Sequence, residues 1–178
     1  MLLSPQYLTT FLSGFTLIVF MARSKVVGVA TSTTSTEGTL TVNLSVTSGS
    51  GVIQQSSVYY LNPNADGYYF CGLQMGNQSV QYSWTLHVSA TPTSFANGVT
   101  VFVEVTYFDT YPGRPYYSET YPFTLNSNGQ DSQDFSACMV PSTIYPESSV
   151  GIKVVGVRSA TDQSIPYTSS GITIIPED

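Results

Sequence analysis

The chain holds one histidine, His87, which any Ser-His-Asp site would need. In Trp84-Thr85-Leu86-His87-Val88 it alternates with Thr85 on the side opposite Trp84, so a strand would aim it at solvent. No Gly-x-Ser-x-Gly turn accompanies it, which leaves a Ser-His-Asp hydrolase without a nucleophile elbow. A His-Glu-x-x-His pair, a phosphate-binding glycine loop and a dinucleotide fingerprint are absent too. Glycoside chemistry needs two carboxylates that meet only in space, and Glu104 and Glu119, on adjacent expected strands, are the pair on offer. Acids on a solvated strand face are the plainer reading. Asn62-Pro63-Asn64-Ala65-Asp66-Gly67 matches the first half of a calcium loop, but Leu73 stands where the closing glutamate belongs. A polar turn accounts for it, and for Asn126–Asp131. The expectation is a protein that is not an enzyme and needs neither metal nor cofactor.

Two cysteines, Cys71 and Cys138, lack any neighbour at metal-ligand spacing. In an exported protein they would form one disulfide, closing a loop of about 67 residues and contributing ~4 kcal/mol in the chain-entropy picture. Asn43-Leu44-Ser45 and Asn77-Gln78-Ser79 make Asn43 and Asn77 glycosylation candidates. Aromatic residues cluster at Tyr59-Tyr60, Tyr68-Tyr69-Phe70, Tyr107-Phe108, Tyr116-Tyr117 and Tyr121. Neighbouring residues of a strand point to opposite faces, so half of each pair belongs to a core and the rest to contacts between subunits, ordinary surface or a sugar platform.

The composition agrees with an exported shell of this kind. Charged residues are 9% of 178, against about 25% in an ordinary soluble protein. In their place stand 25 Ser and 22 Thr, with 13 Tyr. A net charge of −6 argues against nucleic-acid binding, which needs a basic face. Disorder is excluded by a hydrophobic share of 42%.

Two kinds of chain must carry these residues. From Met1 to Ala22 no side chain is charged, and Arg23 and Lys25 follow at once. As a helix this stretch would run about 33 Å, enough to cross a bilayer. Leu8, Phe11, Phe15, Ile18 and Ala22 recur at helical intervals, with Thr9, Ser13 and Thr16 among the small polar residues opposite. Small hydroxyls permit close helix packing, so residues 1–23 are expected to form a retained assembly or anchor helix, inserted in a membrane before or after assembly. Basic residues placed after the apolar run, instead of before it, disfavour a cleaved signal peptide.

Residues 24–178 read as a β-domain. The expected strands are Lys25–Thr31, Thr39–Thr47, Val52–Leu61, Tyr68–Leu73, Val80–Ser89, Val99–Phe108, Tyr116–Leu125, Phe135–Val140, Val150–Arg158 and Gly171–Ile175. Leu40, Val42, Leu44 and Val46 alternate with polar neighbours, as do Val101, Val103 and Val105. Asn97-Gly98 predicts a tight hairpin, and Tyr111–Pro115 another turn. Lys25-Val26-Val27-Gly28-Val29 recurs as Lys153–Val157, as two similar strands would. The expected fold is mainly β: an N-terminal hydrophobic helix followed by an antiparallel immunoglobulin-like sandwich, with a jelly roll as runner-up.

An apolar N-terminal helix before a Ser/Thr/Tyr-rich sandwich, opening on Leu3-Ser4-Pro5, resembles the archaeal type IV pilins. The resemblance implies a processed chain in a surface filament, helices bundled inside and sandwiches displayed outside for adhesion. The partners are then copies of the chain itself. Two alternatives stay open at this point: a virion structural protein (minor capsid, spike or membrane-anchored vertex subunit) with other shell proteins as partners, and a membrane-anchored surface binding or adhesion module.

Overall fold

The computed structural model describes residues 38–63, 70–74, 77–108, 117–144 and 148–178, with the backbone alone at 70–74, 77 and 78. The chain divides into two units, residues 1–37 and 38–178, and the second is a β-sandwich. Its strands are β1 (Leu40–Thr47), β2 (Val52–Gln55), β3 (Val58–Leu61), β4 (Phe70–Gln74), β5 (Asn77–Thr91) and β6 (Thr100–Phe108). They continue with β7 (Tyr117–Thr124), β8 (Gln130–Met139), β9 (Ser149–Arg158), β10 (Tyr167–Ser169) and β11 (Ile172–Pro176). One short helix, α1 (Thr93–Ala96), follows β5.

The two-residue period of the sequence sorts side chains between core and solvent. In β1, Leu40, Val42, Leu44 and Val46 are buried while Thr41, Asn43, Ser45 and Thr47 are exposed. The core face of β5 is Val80, Tyr82, Trp84, Leu86, Val88 and Ala90. Val101, Val103 and Val105 of β6 meet it from the second sheet, with Phe123, Val150, Ile152 and Ile174. The first sheet runs β10-β1-β5 with β4, and β8 lies along the other edge of β5, from Val80↔Met139 to Ser89↔Gln130. The second runs β2-β3-β11-β9-β6-β7. The Tyr82 hydroxyl donates to the carbonyl of Glu177, tying the C-terminal strand to the first sheet.

Several expectations are corrected here. The helix over residues 1–23, with Thr9, Phe11, Ser13, Phe15, Thr16 and Ile18, lies outside the described residues, as does the strand over 25–31. Among the described residues the longest helix is the four-residue α1, so the fold described is mainly β and not a helix with an appended sandwich. The sandwich is also not purely antiparallel. β10 pairs with β1 in parallel, Leu40↔Tyr167, and β11 enters between β3 and β9, parallel to β3 at Thr173↔Val58. Side-chain alternation is the same in both kinds of ladder, so it carries no signal of direction.

Local chemistry explains the other differences. Val52–Leu61 is a hairpin, turning at Ser56-Ser57 with Ser56 at φ 58°, a conformation that Asn or Gly would have announced. Asn97-Gly98 does not close a hairpin: Pro92 ends β5, α1 carries the chain across, and β6 starts in the other sheet. In β9 the buried positions move from Val150 and Ile152 to Val157, because the register slips between Phe102 and Val103 and leaves Val155 exposed. β8 begins five residues before its first buried side chain, Phe135, because its polar start pairs with β5.

The turn into β8 depends on Gly129, at φ +67°, where an added Cβ would lie 2.8 Å from the Ala90 carbonyl oxygen. Gly129→Ala is expected to cost at least about 1–2 kcal/mol from the left-handed backbone alone. Urea denaturation checks it, and an unchanged midpoint would remove Gly129 from the account of this turn.

Candidate functional site

His87 lies on the outer face of the first sheet, opposite Ser45, as its alternation predicts. Its Nε2 is 2.8 Å from Thr47 Oγ1. The nearby carboxylates are taken: Asp131 accepts from the Thr124 and Ser132 amides, and Asp134 from the Thr85 hydroxyl at 2.7 Å. Glu104 and Glu119 are not brought together. Glu104 is opposite Thr120 and bridges Lys153 at 2.7 Å, while Glu119 is opposite Val105, on the other face of the second sheet. Among the described residues no group of three His, Cys, Asp or Glu converges as metal ligands.

Placing Glu119 on the core side exposes an unusual feature of β7. Tyr117, Glu119, Tyr121 and Phe123 share the face of Val101, Val103 and Val105. Phe123 is fully buried and Tyr121 half-buried, but Glu119 is exposed and Tyr117 is 59% exposed. The core face of the second sheet therefore continues into a rim at the start of its edge strand. Both phenols donate to the same oxygen, Glu119 Oε2, Tyr117 at 2.8 Å and Tyr121 at 2.7 Å. Those bonds, first from Tyr121 and then from Tyr117, hold the Glu119 carboxyl below its ordinary range. Tyr121 is pushed well above the usual phenol range by burial and by its bond to Glu119; Tyr107 is raised by burial and by Tyr117.

Aromatic contacts extend the rim inward. Tyr107 and Tyr117 have ring centroids 6.0 Å apart. Tyr121 meets Phe135 edge-on at 4.9 Å, and Phe135 stacks on Trp84 at 5.9 Å. The rim is thus anchored to the centre of β5 through a continuous line of rings. Of the tyrosines singled out in the sequence, Tyr107, Tyr117 and Tyr121 come together here, whereas Tyr59 is buried and Tyr60 half-buried on β3. The role of Glu119 as their hub was missed, although the spacing Tyr117-x-Glu119-x-Tyr121-x-Phe123 carries the signal.

The remaining candidates are scattered. Asn43 is exposed on β1, in the wall of a cleft of about 600 Å³ bounded by Gln54, Ser56 and Ser169. Asn77 opens β5, and its side chain lies outside the described ones. Cys138 is exposed on β8 and is not a free thiol; the side chain of Cys71, on β4, lies outside the described ones. Among the described residues no helix is long and apolar enough to cross a membrane.

Comparison with known proteins adds little to this geometry. No family model matches the chain, and no curated protein matches it. Among solved structures, the apo-form Calx CBD1 domain is similar at 11% identity and a TM-score of 0.37, over 79% of this chain and 100% of that one. A likeness of that depth carries no argument about function.

Trp84 offers a direct test of the ring line. Its Nε1 is buried without a hydrogen-bond partner, a cost that phenylalanine would remove. Trp84→Phe is expected to change stability by less than about 1.5 kcal/mol, whereas Trp84→Ala should lose about 3–5 kcal/mol. Equal losses in thermal denaturation would mean that the indole is not held mainly by packing.

Proposed function

We propose that the chain is a non-catalytic structural subunit of an extracellular assembly, and that the β7 rim is one of its subunit contacts. The observation that carries this reading is the exposed Tyr117 ring on a face whose continuation is core. A large ring left at the solvent boundary of a core face gains by burial against a neighbour, and tyrosine is enriched at such contacts. The outer faces suit a displayed protein. Thr106 and Ser118 hydroxyls lie 3.1 Å apart across β6 and β7, and Thr41 and Thr168 3.4 Å apart across β1 and β10. These bonds do not titrate, so the surface they form keeps its character when the pH of the medium changes.

Tyr117→Ser in the full chain is expected to weaken association while leaving the melting temperature within about 2 °C, since the ring is mostly exposed. Sedimentation and negative-stain electron microscopy of native and variant material read this. Assemblies of unchanged size and stability would overturn the contact.

The same extracellular reading includes a Cys71–Cys138 disulfide. Cys71→Ser should then lower the melting temperature under oxidising conditions and have no effect with reductant present. An equal loss in both media would rule out the bond as the cause.

A further inference from the structure

The rim has a charge as well as an apolar surface, and the two favour one kind of ligand. Glu119 receives both phenols on Oε2, and among the described residues no donor reaches Oε1. Both phenols donate to Glu119, and these bonds favour its ionised form. Around it stand the rings of Tyr117 and Tyr121, with Tyr107 behind Tyr117. Aromatic faces carry negative potential, so the rings and the carboxylate attract the same thing: a cation with some apolar surface. The two described cations are occupied elsewhere, Lys153 by Glu104 and Arg158 by Asp162. Arg158 also shows the preference at work, its guanidinium carbon 5.9 Å from the centroid of Phe102. The net charge of −6 attracts basic groups from outside, and among the described residues the site holds none of its own. A neutral polyol would use the ring faces but gain nothing from the charge. A divalent metal would find one carboxylate where it needs several oxygen ligands.

We propose that the Tyr117–Glu119–Tyr121 rim binds an aliphatic ammonium group, presented by a lysine side chain of a neighbouring subunit in the assembly. The alkyl stem lies along Tyr117, and the ammonium reaches Glu119 Oε1. The inference rests on the subunit-contact reading for the source of the lysine, but not for the chemistry of the site.

The test uses the full chain at low ionic strength, because an exposed pair is screened by salt. N-acetyl-lysine N-methylamide is titrated against its neutral counterpart, N-acetyl-norleucine N-methylamide, with the tyrosine ring signals followed by NMR. The lysine compound is expected to shift Tyr117 and Tyr121 and to bind at least about fivefold more tightly than norleucine. Glu119→Gln should abolish that difference, and Tyr117→Leu should weaken lysine binding about as much. Equal affinity for the two compounds, or an undiminished preference in Glu119→Gln, would overturn the proposal. Association provides the second readout. If Tyr117→Ser disrupts assemblies while Glu119→Gln leaves them intact, the ammonium assignment fails and the contact stands. Selective lysine binding with assemblies indifferent to Tyr117→Ser supports the site chemistry and overturns the contact alone.

Discussion

A fifteen-residue strand with one unbroken apolar face is the constraint from which the rest of this sandwich follows. β5 presents Val80, Tyr82, Trp84, Leu86, Val88 and Ala90 to the core, and its two edges hold β1 and β8 in register over seven and ten residues. A slip of one residue on either side would turn every one of these side chains to solvent. Among the described residues the second sheet has no strand of that length. Its order is set by what must cover β5: the valines of β6 at the centre, with β9 and β7 on either side. The late strands β10 and β11 then fill the places left open, one in each sheet. Neither has to be antiparallel, because burial dictates the face and not the direction.

The same alternation produces the rim. On β7 the inward face begins with Tyr117 and Glu119 before it reaches Tyr121 and Phe123. A carboxylate at an inward position is unfavourable when it is covered, and Glu119 stays exposed and carries two phenol hydrogen bonds. The gradient from Phe123 outward, fully buried to mostly exposed within six residues, separates the part that stabilises the domain from the part free to meet something else. Positions where a local rule is broken without a structural gain are where function is usually found.

How much of this was legible in the sequence depends on the kind of information required. Faces were readable, because Leu40 to Val46 and Val101 to Val105 follow the period of two without a break. Most strand positions followed from them. Pairing partners and directions were not readable, because they depend on which apolar faces meet in space; the parallel entry of β11 beside β3 has no mark in Ile172-Thr173-Ile174. Turns were readable only where the residue announced the backbone. Ser56 adopts a positive φ with no glycine or asparagine to signal it, and Asn97-Gly98 signals a hairpin that Pro92 and α1 replace with a crossing between sheets. The tyrosines of the rim were visible as aromatic clusters. Their convergence on Glu119 was not, since Glu119 was read beside Glu104 as an acid on a strand face and its inward parity was passed over.

The backbone of the strand that carries the rim is partly closed to strand addition. Among the described strands β7 is the last of its sheet, a place where free amides and carbonyls would invite another chain to add on. It is blunted along its second half. Pro122 has no amide to offer, its carbonyl is taken by Gln133 Nε2 at 2.7 Å, and the Thr124 amide is taken by Asp131 at 2.9 Å. Both capping side chains come from β8, the strand stacked beside it in the other sheet. The chain thus closes its own backbone edge next to Phe123, with donors and acceptors drawn from the two sheets. Its exposed rings and its carboxylate lie at the other end of the strand. An edge arranged this way resists indiscriminate strand addition and leaves the charged aromatic rim exposed at its other end, as the proposed contact requires.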